Sequence, residues 1–414
     1  METENAQKST WTYSVWFSLA IGIGIINGLW PTALGMTAAQ FLSDIFVRLF
    51  KFISVPIIGV TICLTIAKLG SSAAEKSLWK RTLGYTLFTT IIAAVVGAVL
   101  YSIFTPENVT ANAAAFSTGL EDQKGYLDYF ISVVPDNPLG PFVQGDVLSV
   151  LLIAIVVGIA IRYISEDTSR RTMLNFLDAV QSVLFFIVRV IIFLLPLGIF
   201  GFTSICTRDF QHGVALNGLG KYFAIVISAN LIQGFIILPL LLAVRRIAPF
   251  KTLRNMSRAL VVAFFSKSSA AALPVTMTCA EDKNNIHPTV SRFVLPICTT
   301  INMNGCASFI LITVLYIMQN HGVVITIPIL LVWMLIATAA AIGNAGVPMG
   351  CYFLAASLLS SMNIPIQLLG IILPFYTIID MIETSLNVWS DACIAALVNK
   401  DIQKELPGSR VSVL

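Results

Sequence analysis

The residues with the clearest chemistry lie at positions 380–391, between two uncharged apolar stretches. On a helix, successive residues rotate by about 100°, which places five polar side chains within an arc of roughly 100°. These side chains are Asp380, Glu383, Thr384, Asn387 and Asp391. Three carboxylates on one face attract cations, ammonium groups and hydrogen-bond donors. We call these five residues the polar stripe.

The composition predicts that the polar stripe lies inside a lipid bilayer. The chain is 57% hydrophobic and only 11% charged, whereas soluble domains carry about 25% charged residues. Its mean hydropathy is +0.87. Three carboxylates in a membrane would cost roughly 8–10 kcal/mol unless they face cations, donors or water. We therefore expect a polytopic membrane protein in contact with lipid. Nucleic acid is not an expected partner, because the net charge of +4 includes no basic run.

Six apolar stretches are long enough to cross about 30 Å of hydrocarbon. They are residues 12–30, 45–67, 82–104, 147–161, 179–207 and 222–244. Twelve Lys and Arg residues fall in the connections 68–81, 162–171 and 245–258, against two in the alternate connections. The positive-inside rule then predicts a cytoplasmic N-terminus, residues 1–10. The tail, residues 401–414, is expected on the same side.

The pattern changes after position 258, where two segments have tips of small residues that end in proline. These tips are residues 266–274 and 341–348. Broken backbone at membrane depth is tolerated only where protein or a water-filled cavity surrounds it, so each tip predicts a re-entrant hairpin. Each hairpin precedes a polar helix, first with Asn-Met-Asn-Gly at 302–305 and then with the polar stripe. Such an internal repeat is typical of a transporter's binding site.

Four motifs in this order resemble the dicarboxylate/amino acid:cation symporter family, the glutamate transporter homologues. They are residues 268–274, 302–305, 343–348 and 380–391. The last motif is closest to the sodium/serine-threonine symporter branch. The resemblance implies an all-α polytopic protein with eight transmembrane helices and two re-entrant helical hairpins, arranged as inverted repeats. It also implies a homotrimer in a plasma membrane, the inner membrane of a bacterium, with an elevator mechanism in which a transport domain moves across the membrane. A member of this family is not expected to be an enzyme.

The resemblance also implies two domains. Residues 11–207 would be mainly scaffold, formed by spans 1, 2, 4 and 5, while span 3, at about 82–104, would join the transport domain. The transport domain would otherwise cover 217–400. It would hold span 6, hairpin 1 (about 252–285), span 7 (about 290–318), hairpin 2 (about 325–363) and span 8 (about 364–398).

The family's binding residues carry over by position. Substrate would bind at Ser268, Ser269, Cys306, Val347, Asp380, Glu383, Thr384 and Asn387. Asp380 would hold the substrate amine and Asn387 its carboxylate. Sodium would bind at two sites, one formed by Cys298, Asn302, Asn387 and Asp391, the other by Thr300, Ala341, Ile342 and Asn344.

Two departures from the family pattern shape the expected function. Members that carry acidic substrates have arginine at the position of Glu383, and a carboxylate there should repel a second substrate carboxylate. We therefore expect uptake of a small neutral amino acid, with serine or threonine favoured. The family's third sodium site would fall at Thr89, Thr90, Asn302 and Asn304, but Asn304 replaces an aspartate. About two coupled sodium ions are expected.

Other functions remain open at this point. One is a sodium- or proton-coupled symporter for a dicarboxylate or an acidic amino acid. An intramembrane enzyme or a channel is the alternative from a different class, although the acids share one helix and lack a basic phosphate clamp. The seven cysteines are scattered through apolar runs. We therefore expect small apolar fillers, and neither a disulfide framework nor a CxxC metal site.

Overall fold

The computed structural model describes residues 16, 19–68, 73–108, 134–144, 147–211, 216–344, 349–362, 364 and 367–402. These residues form helices and turns, and they contain no strand. The all-α prediction is therefore confirmed. Four of the described helical stretches are long and apolar enough to cross a membrane, judged by length and composition: Ser77–Phe104, Asp167–Ile191, Gly218–Val244 and Pro288–Asn320. The number of eight spans stays a prediction.

Long helices dominate the first half of the described chain. They are α1 (Leu19–Leu29), α2 (Ala33–Ala67), α3 (Ala73–Phe104), α4 (Gly140–Gln144), α5 (Val147–Arg162) and α6 (Asp167–Gln211). Helix α2 begins well before the predicted span 45–67, because the Thr32 hydroxyl caps it by accepting a 3.1 Å hydrogen bond from the Gly35 N–H. Helix α2 packs mainly against α5 and α6.

The second half consists of shorter helices around one buried helix. They are α7 (Leu216–Ile232), a π-helical turn (Gln233–Ile237), α8 (Leu238–Val244), α9 (Pro249–Ser266), α10 (Ser269–Asp282), α11 (Pro288–Ile301), α12 (Asn304–Asn320), α13 (Ile327–Ile342), α14 (Gly350–Ser361) and α15 (Gln367–Ile402). Every residue of α12 except Gln319 is buried. A helix covered on all sides is a central element of the packing, and α3, α7, α13, α14 and α15 surround it.

Three chain breaks separate consecutive helices in the second half of the described chain. Helices α9 and α10 pack against each other, and the chain reverses at Lys267, which adopts a left-handed conformation with φ 53°. The Ser268 hydroxyl then caps α10 by accepting a 3.2 Å hydrogen bond from the Ala271 N–H. Between α11 and α12, Asn302 and Met303 leave the helical conformation. Helix α14 follows Met349, which is also left-handed with φ 61°.

Candidate functional site

Asp391 lies at the buried end of the polar stripe, on α15. Its side chain is fully buried, and its Oδ1 accepts a 2.8 Å hydrogen bond from Asn302 Nδ2. Its other oxygen, Oδ2, has no hydrogen-bond partner among the described residues. A buried ionised oxygen without a partner is costly. Asn302 is the C-cap residue at which α11 ends, and the last carbonyls of a helix lack intrahelical partners. This arrangement makes the Asp391 carboxylate a candidate cation ligand.

The Asn304 side chain occupies the centre of the predicted third sodium site. Its Nδ2 donates to Asn302 Oδ1 at 2.9 Å, to Ser390 Oγ at 2.6 Å and, more weakly, to Thr89 Oγ1 at 3.4 Å. Its Oδ1 accepts a 3.0 Å hydrogen bond from Gln233 Nε2. The amide hydrogens therefore bond the same oxygens that a cation would need as ligands.

Thr90 and Cys298, two further residues of the predicted sodium sites, differ in their hydrogen bonds. The Thr90 hydroxyl is buried, and no partner for it is found in the described part of the chain. The Cys298 backbone carbonyl already accepts the Asn302 N–H at 2.8 Å. A carbonyl has two acceptor sites, so this bond leaves the second one available.

The other predicted sodium site lies where α13 ends. The Asn344 side chain is buried, and its Oδ1 lacks a hydrogen-bond partner within the described ranges. The Ala341 carbonyl accepts the Asn344 N–H at 3.1 Å, and the neighbouring Ile342 is half-buried. The Thr300 hydroxyl donates to the Ile297 carbonyl at 2.7 Å. Asn344 Oδ1 is thus a buried oxygen at this site without a hydrogen-bond donor among the described residues, as Asp391 Oδ2 is at the other site.

Asp380 and Glu383 lie on the stripe one helical turn apart, and both are buried. Asp380 Oδ2 accepts a 3.1 Å hydrogen bond from the Met349 N–H, at the start of α14. A helix N-terminus favours negative charge, so this contact stabilises the carboxylate. Glu383 Oε2 accepts a 3.2 Å hydrogen bond from the Tyr376 hydroxyl, while its Oε1 has no partner in the structure as described.

Asn387 joins the stripe to the start of α12. Its Oδ1 accepts a 2.9 Å hydrogen bond from the Gly305 N–H, and its Nδ2 lies 3.6 Å from Cys306 Sγ. Gly305 permits this approach, because a Cβ there would lie 2.9 Å from both Glu383 Cα and Asn230 Oδ1. The glycine therefore lets α7, α12 and α15 meet at the stripe.

The remaining predicted substrate residues differ in how deeply they are buried and in what their side chains contact. Ser269 and Thr384 are buried, and Ser268 is half-buried with its hydroxyl engaged in capping α10. Lys267, next to Ser268, lies near enough to Asp380 for the two charges to interact. Val347 lies outside the described residues.

The prediction for the cysteines is wrong at one pair. Cys306 and Cys351 form a disulfide, with their Cα atoms 5.4 Å apart. These residues are 45 positions apart in sequence and lie in separate apolar runs, so no spacing motif marks them. Four other described cysteines, Cys63, Cys279, Cys298 and Cys393, are free and buried, as expected of apolar fillers.

Sequence reasoning also missed Gln233, which supports the site from the π-helical turn. Its Nε2 donates to Asn304 Oδ1 and, at 3.1 Å, to the Thr89 carbonyl. The neighbouring Gly234 carbonyl accepts a 3.0 Å hydrogen bond from Trp389 Nε1, which ties the turn to α15. π-Helical turns are frequent at functional sites. The available signal was an amide residue inside the apolar stretch 222–244.

Comparison with known proteins decides the family. Residues 14–401 match the sodium:dicarboxylate symporter family. The chain belongs to that family. The resemblance drawn from the four motifs is thereby confirmed. As a sodium:dicarboxylate symporter family member the protein is a transporter and not an enzyme, and its family is one of sodium-dependent amino acid transporters.

The relatives of this family member include transporters of two kinds. Excitatory amino acid transporter 3 of Mus musculus is 28% identical over 90% of this chain and 81% of its own length. Neutral amino acid transporter B(0) of Bos taurus is also 28% identical, over 93% of this chain and 78% of its own. Neutral amino acid transporter A of Homo sapiens is 26% identical, over 92% and 80%. The similarity is therefore shared evenly between the two kinds.

Proposed function

We propose that this protein is a symporter that couples sodium entry to the uptake of a small neutral amino acid, with serine and threonine as its preferred substrates. The observation that carries the proposal is the buried Glu383 carboxylate. It lies one turn from Asp380, its Oε1 has no partner among the described residues, and one of its oxygens lies within 4.8 Å of the Cys306 and Cys351 sulfurs. A ligand in this region meets two carboxylates.

The charges around the stripe favour a substrate with a single carboxylate. Asp380 attracts the ammonium group of an amino acid, and the Asn387 amide can donate to its carboxylate. A second carboxylate on the substrate would lie beside Glu383 in a medium of low dielectric constant, where like charges repel strongly. Glu383 Oε1 can instead accept a hydrogen bond from a substrate hydroxyl, which serine and threonine supply.

A symporter for an acidic amino acid is the second candidate, and Lys267 is the observation that favours it. Its ammonium group interacts with the Asp380 carboxylate and can attract a second carboxylate. The interaction with Asp380 already compensates the charge of Lys267, however, and Glu383 places a second buried carboxyl group one helical turn from Asp380. The balance of charge therefore favours the neutral substrate.

Sodium binds, in this proposal, at two places where buried oxygens have no donor. Asp391 Oδ2 and Asn344 Oδ1 mark these places. The third family site does not bind sodium, because the Asn304 amide bonds Thr89, Asn302 and Ser390 itself. Sodium and substrate bring opposite charges into one buried region, so each strengthens the binding of the other.

The packing supports the proposed division into scaffold and transport domains. Helices α2, α5 and α6 pack together, whereas α3 packs against α7, α11, α12, α13 and α15. This agrees with a scaffold within 11–207 and with the assignment of span 3 to the transport domain, 217–400. Exposed apolar side chains on α6, including Val183, Phe186 and Phe193, suit contact with lipid or with neighbouring copies in a homotrimer. The elevator movement and the location in a bacterial inner membrane belong to the same proposal.

Uptake into proteoliposomes tests the proposed substrate. Vesicles with an inward sodium gradient should accumulate labelled serine and threonine well above the level reached by aspartate. In one control, potassium replaces sodium. In another, sodium is absent and an inward proton gradient takes the place of the sodium gradient. Accumulation of aspartate but not of serine would refute the argument from Glu383, and uptake driven by the proton gradient alone would refute sodium coupling.

A further inference from the structure

The disulfide lies in a wall of the proposed binding region. Cys306 is in the first turn of α12, directly after the chain break, and Cys351 is in the first turn of α14. Their exposed fractions are 1% and 2%, and the Cα separation of 5.4 Å is ordinary for a disulfide. The bond therefore joins the central helix to the second hairpin at the position where the hairpin meets the stripe.

The atoms around this sulfur pair are those of the proposed site. Asn344 Nδ2 lies 3.0 Å from Cys306 Sγ and 3.4 Å from Cys351 Sγ. Asn387 Nδ2 lies 3.6 Å from Cys306 Sγ, and the Glu383 carboxylate and both sulfurs lie within 4.8 Å of one another. Any change in the covalent state of the two cysteines therefore changes the surroundings of the substrate and sodium ligands together.

Entry of an amino acid requires a wall of this region to move, because the stripe is enclosed. Asp380, Glu383 and Asn387 are each less than 5% exposed. Helix α12 is buried on all sides, whereas α14 begins at a left-handed Met349 whose N–H bonds Asp380. Helix α14 is thus held to the stripe by a hydrogen bond that can break reversibly, and to α12 by one covalent bond.

We propose that Cys306 and Cys351 form a reversible disulfide that locks α14 onto α12, and that the reduced protein transports while the oxidised protein does not. The proposal rests on the proposed function, since opening of α14 is taken as the entry of substrate. The oxidant is a low-molecular-weight disulfide. One cysteine thiolate attacks it, releases one small thiol and leaves a mixed disulfide. The second thiolate then attacks the protein sulfur of that mixed disulfide and releases the other small thiol.

The balance of this exchange is complete. Two S–H bonds of the protein are replaced by one S–S bond, and the two protons pass to the two released small thiols. Two electrons leave the protein and reduce the oxidant. A dithiol such as dithiothreitol reverses both steps.

The test compares oxidised and reduced protein in each of four forms: wild type, Cys306→Ser, Cys351→Ser and the control Cys63→Ser, which changes a free buried cysteine in α2. Proteoliposomes are treated with 2-hydroxyethyl disulfide or dithiothreitol. Peptide mapping detects the 306–351 link, and sodium-driven serine uptake is expressed as the ratio of oxidised to reduced rates. A changed basal rate in a variant therefore does not enter the comparison.

In wild type and Cys63→Ser, oxidation should produce the linked peptide and lower uptake at least tenfold, and dithiothreitol should restore it. In Cys306→Ser and Cys351→Ser, the ratio of oxidised to reduced uptake rates should be near one. A linked peptide with uptake unchanged within twofold would overturn the lock, and so would the absence of any link after oxidation.

Hydrogen exchange separates this proposal from the proposed function. If reduced wild type shows no sodium-driven uptake, the symporter proposal fails, and the lock is then judged from the amides of α14. Oxidation should slow their exchange in wild type but not in Cys351→Ser. Equal exchange in both redox states would overturn the lock without reference to transport.

Discussion

Asp391→Asn should remove most of the sodium affinity of one of the two proposed sites while leaving the protein folded. Two unit charges 4 Å apart attract by about 4 kcal/mol at an effective dielectric constant of about 20. Asp391 is fully buried, and its Oδ2 has no partner in the described structure to share that charge. Loss of the charge should therefore weaken sodium binding at this site roughly a thousandfold, since about 1.4 kcal/mol corresponds to a factor of ten.

The fold should tolerate the change because the new amide keeps the shape of the carboxylate. Its oxygen can still accept the hydrogen bond that Asn302 Nδ2 donates to Asp391 Oδ1. Replacing a buried charge that lacks a partner also removes a desolvation penalty. The sodium-free variant should accordingly unfold at the wild-type temperature or above it.

Thermal unfolding in sodium and in choline measures both effects. A ligand at one hundred times its Kd stabilises a protein by about 2.7 kcal/mol, and a thousandfold weaker ligand at the same concentration contributes less than about 0.1 kcal/mol. The matched control is Asp401→Asn, at the end of the same helix, where the carboxylate accepts a hydrogen bond from Tyr85 and pairs with Arg245. The variant at 391 should lose this site's share of the sodium shift, and the control should keep it. An undiminished sodium shift in Asp391→Asn would remove Asp391 from the sodium site.

Substitutions at three further positions, Glu383, Asn304 and Gly305, test separate properties of the site. Glu383→Arg should lower serine uptake and admit aspartate, whereas Glu383→Gln should lower serine uptake without admitting aspartate; an unchanged substrate ranking would show that this side chain does not contact the substrate. Asn304→Asp should steepen the sodium dependence of uptake by about one ion, because a carboxylate replaces the amide donors at the third site, and an unchanged steepness would refute that reason. Gly305→Ala should lower stability by about 1–3 kcal/mol through overpacking, since its Cβ would lie 2.9 Å from Glu383 Cα. Thermal unfolding measures the stability of Gly305→Ala beside the control Gly220→Ala, where a Cβ meets nothing within 4 Å. Equal losses of stability in the two variants would contradict the overpacking argument.

The polar stripe could be predicted from sequence because helical periodicity alone fixes which side chains share a face. The structure buries all five of its residues on α15. The break at Asn302 was predictable for a related reason, since two amides and a glycine within four residues of an apolar stretch do not suit a straight lipid-facing helix. These features depend on short segments of the chain.

Other features depend on how distant segments pack, which one sequence does not reveal. Cys306 and Cys351 are brought together by the return of the chain through α13 and α14, and each cysteine alone is an ordinary apolar residue. The donors of Asn304 reach Ser390 and Thr89 only because of the rotation of α12 relative to α15 and α3. An apolar stretch in the sequence marks only the part of a helix that crosses the hydrocarbon, and not the whole helix. For this reason α2 extends beyond its predicted span.

Parallel measurement of sodium and serine fluxes tests the central claim most directly. Proteoliposomes receive labelled sodium and labelled serine together, and the initial influx of each is followed with and without the other. The two sites marked by Asp391 and Asn344 predict that serine accelerates sodium entry, with about two sodium ions entering for each serine. Serine entry that brings no additional sodium, or sodium entry that aspartate accelerates and serine does not, would contradict the account.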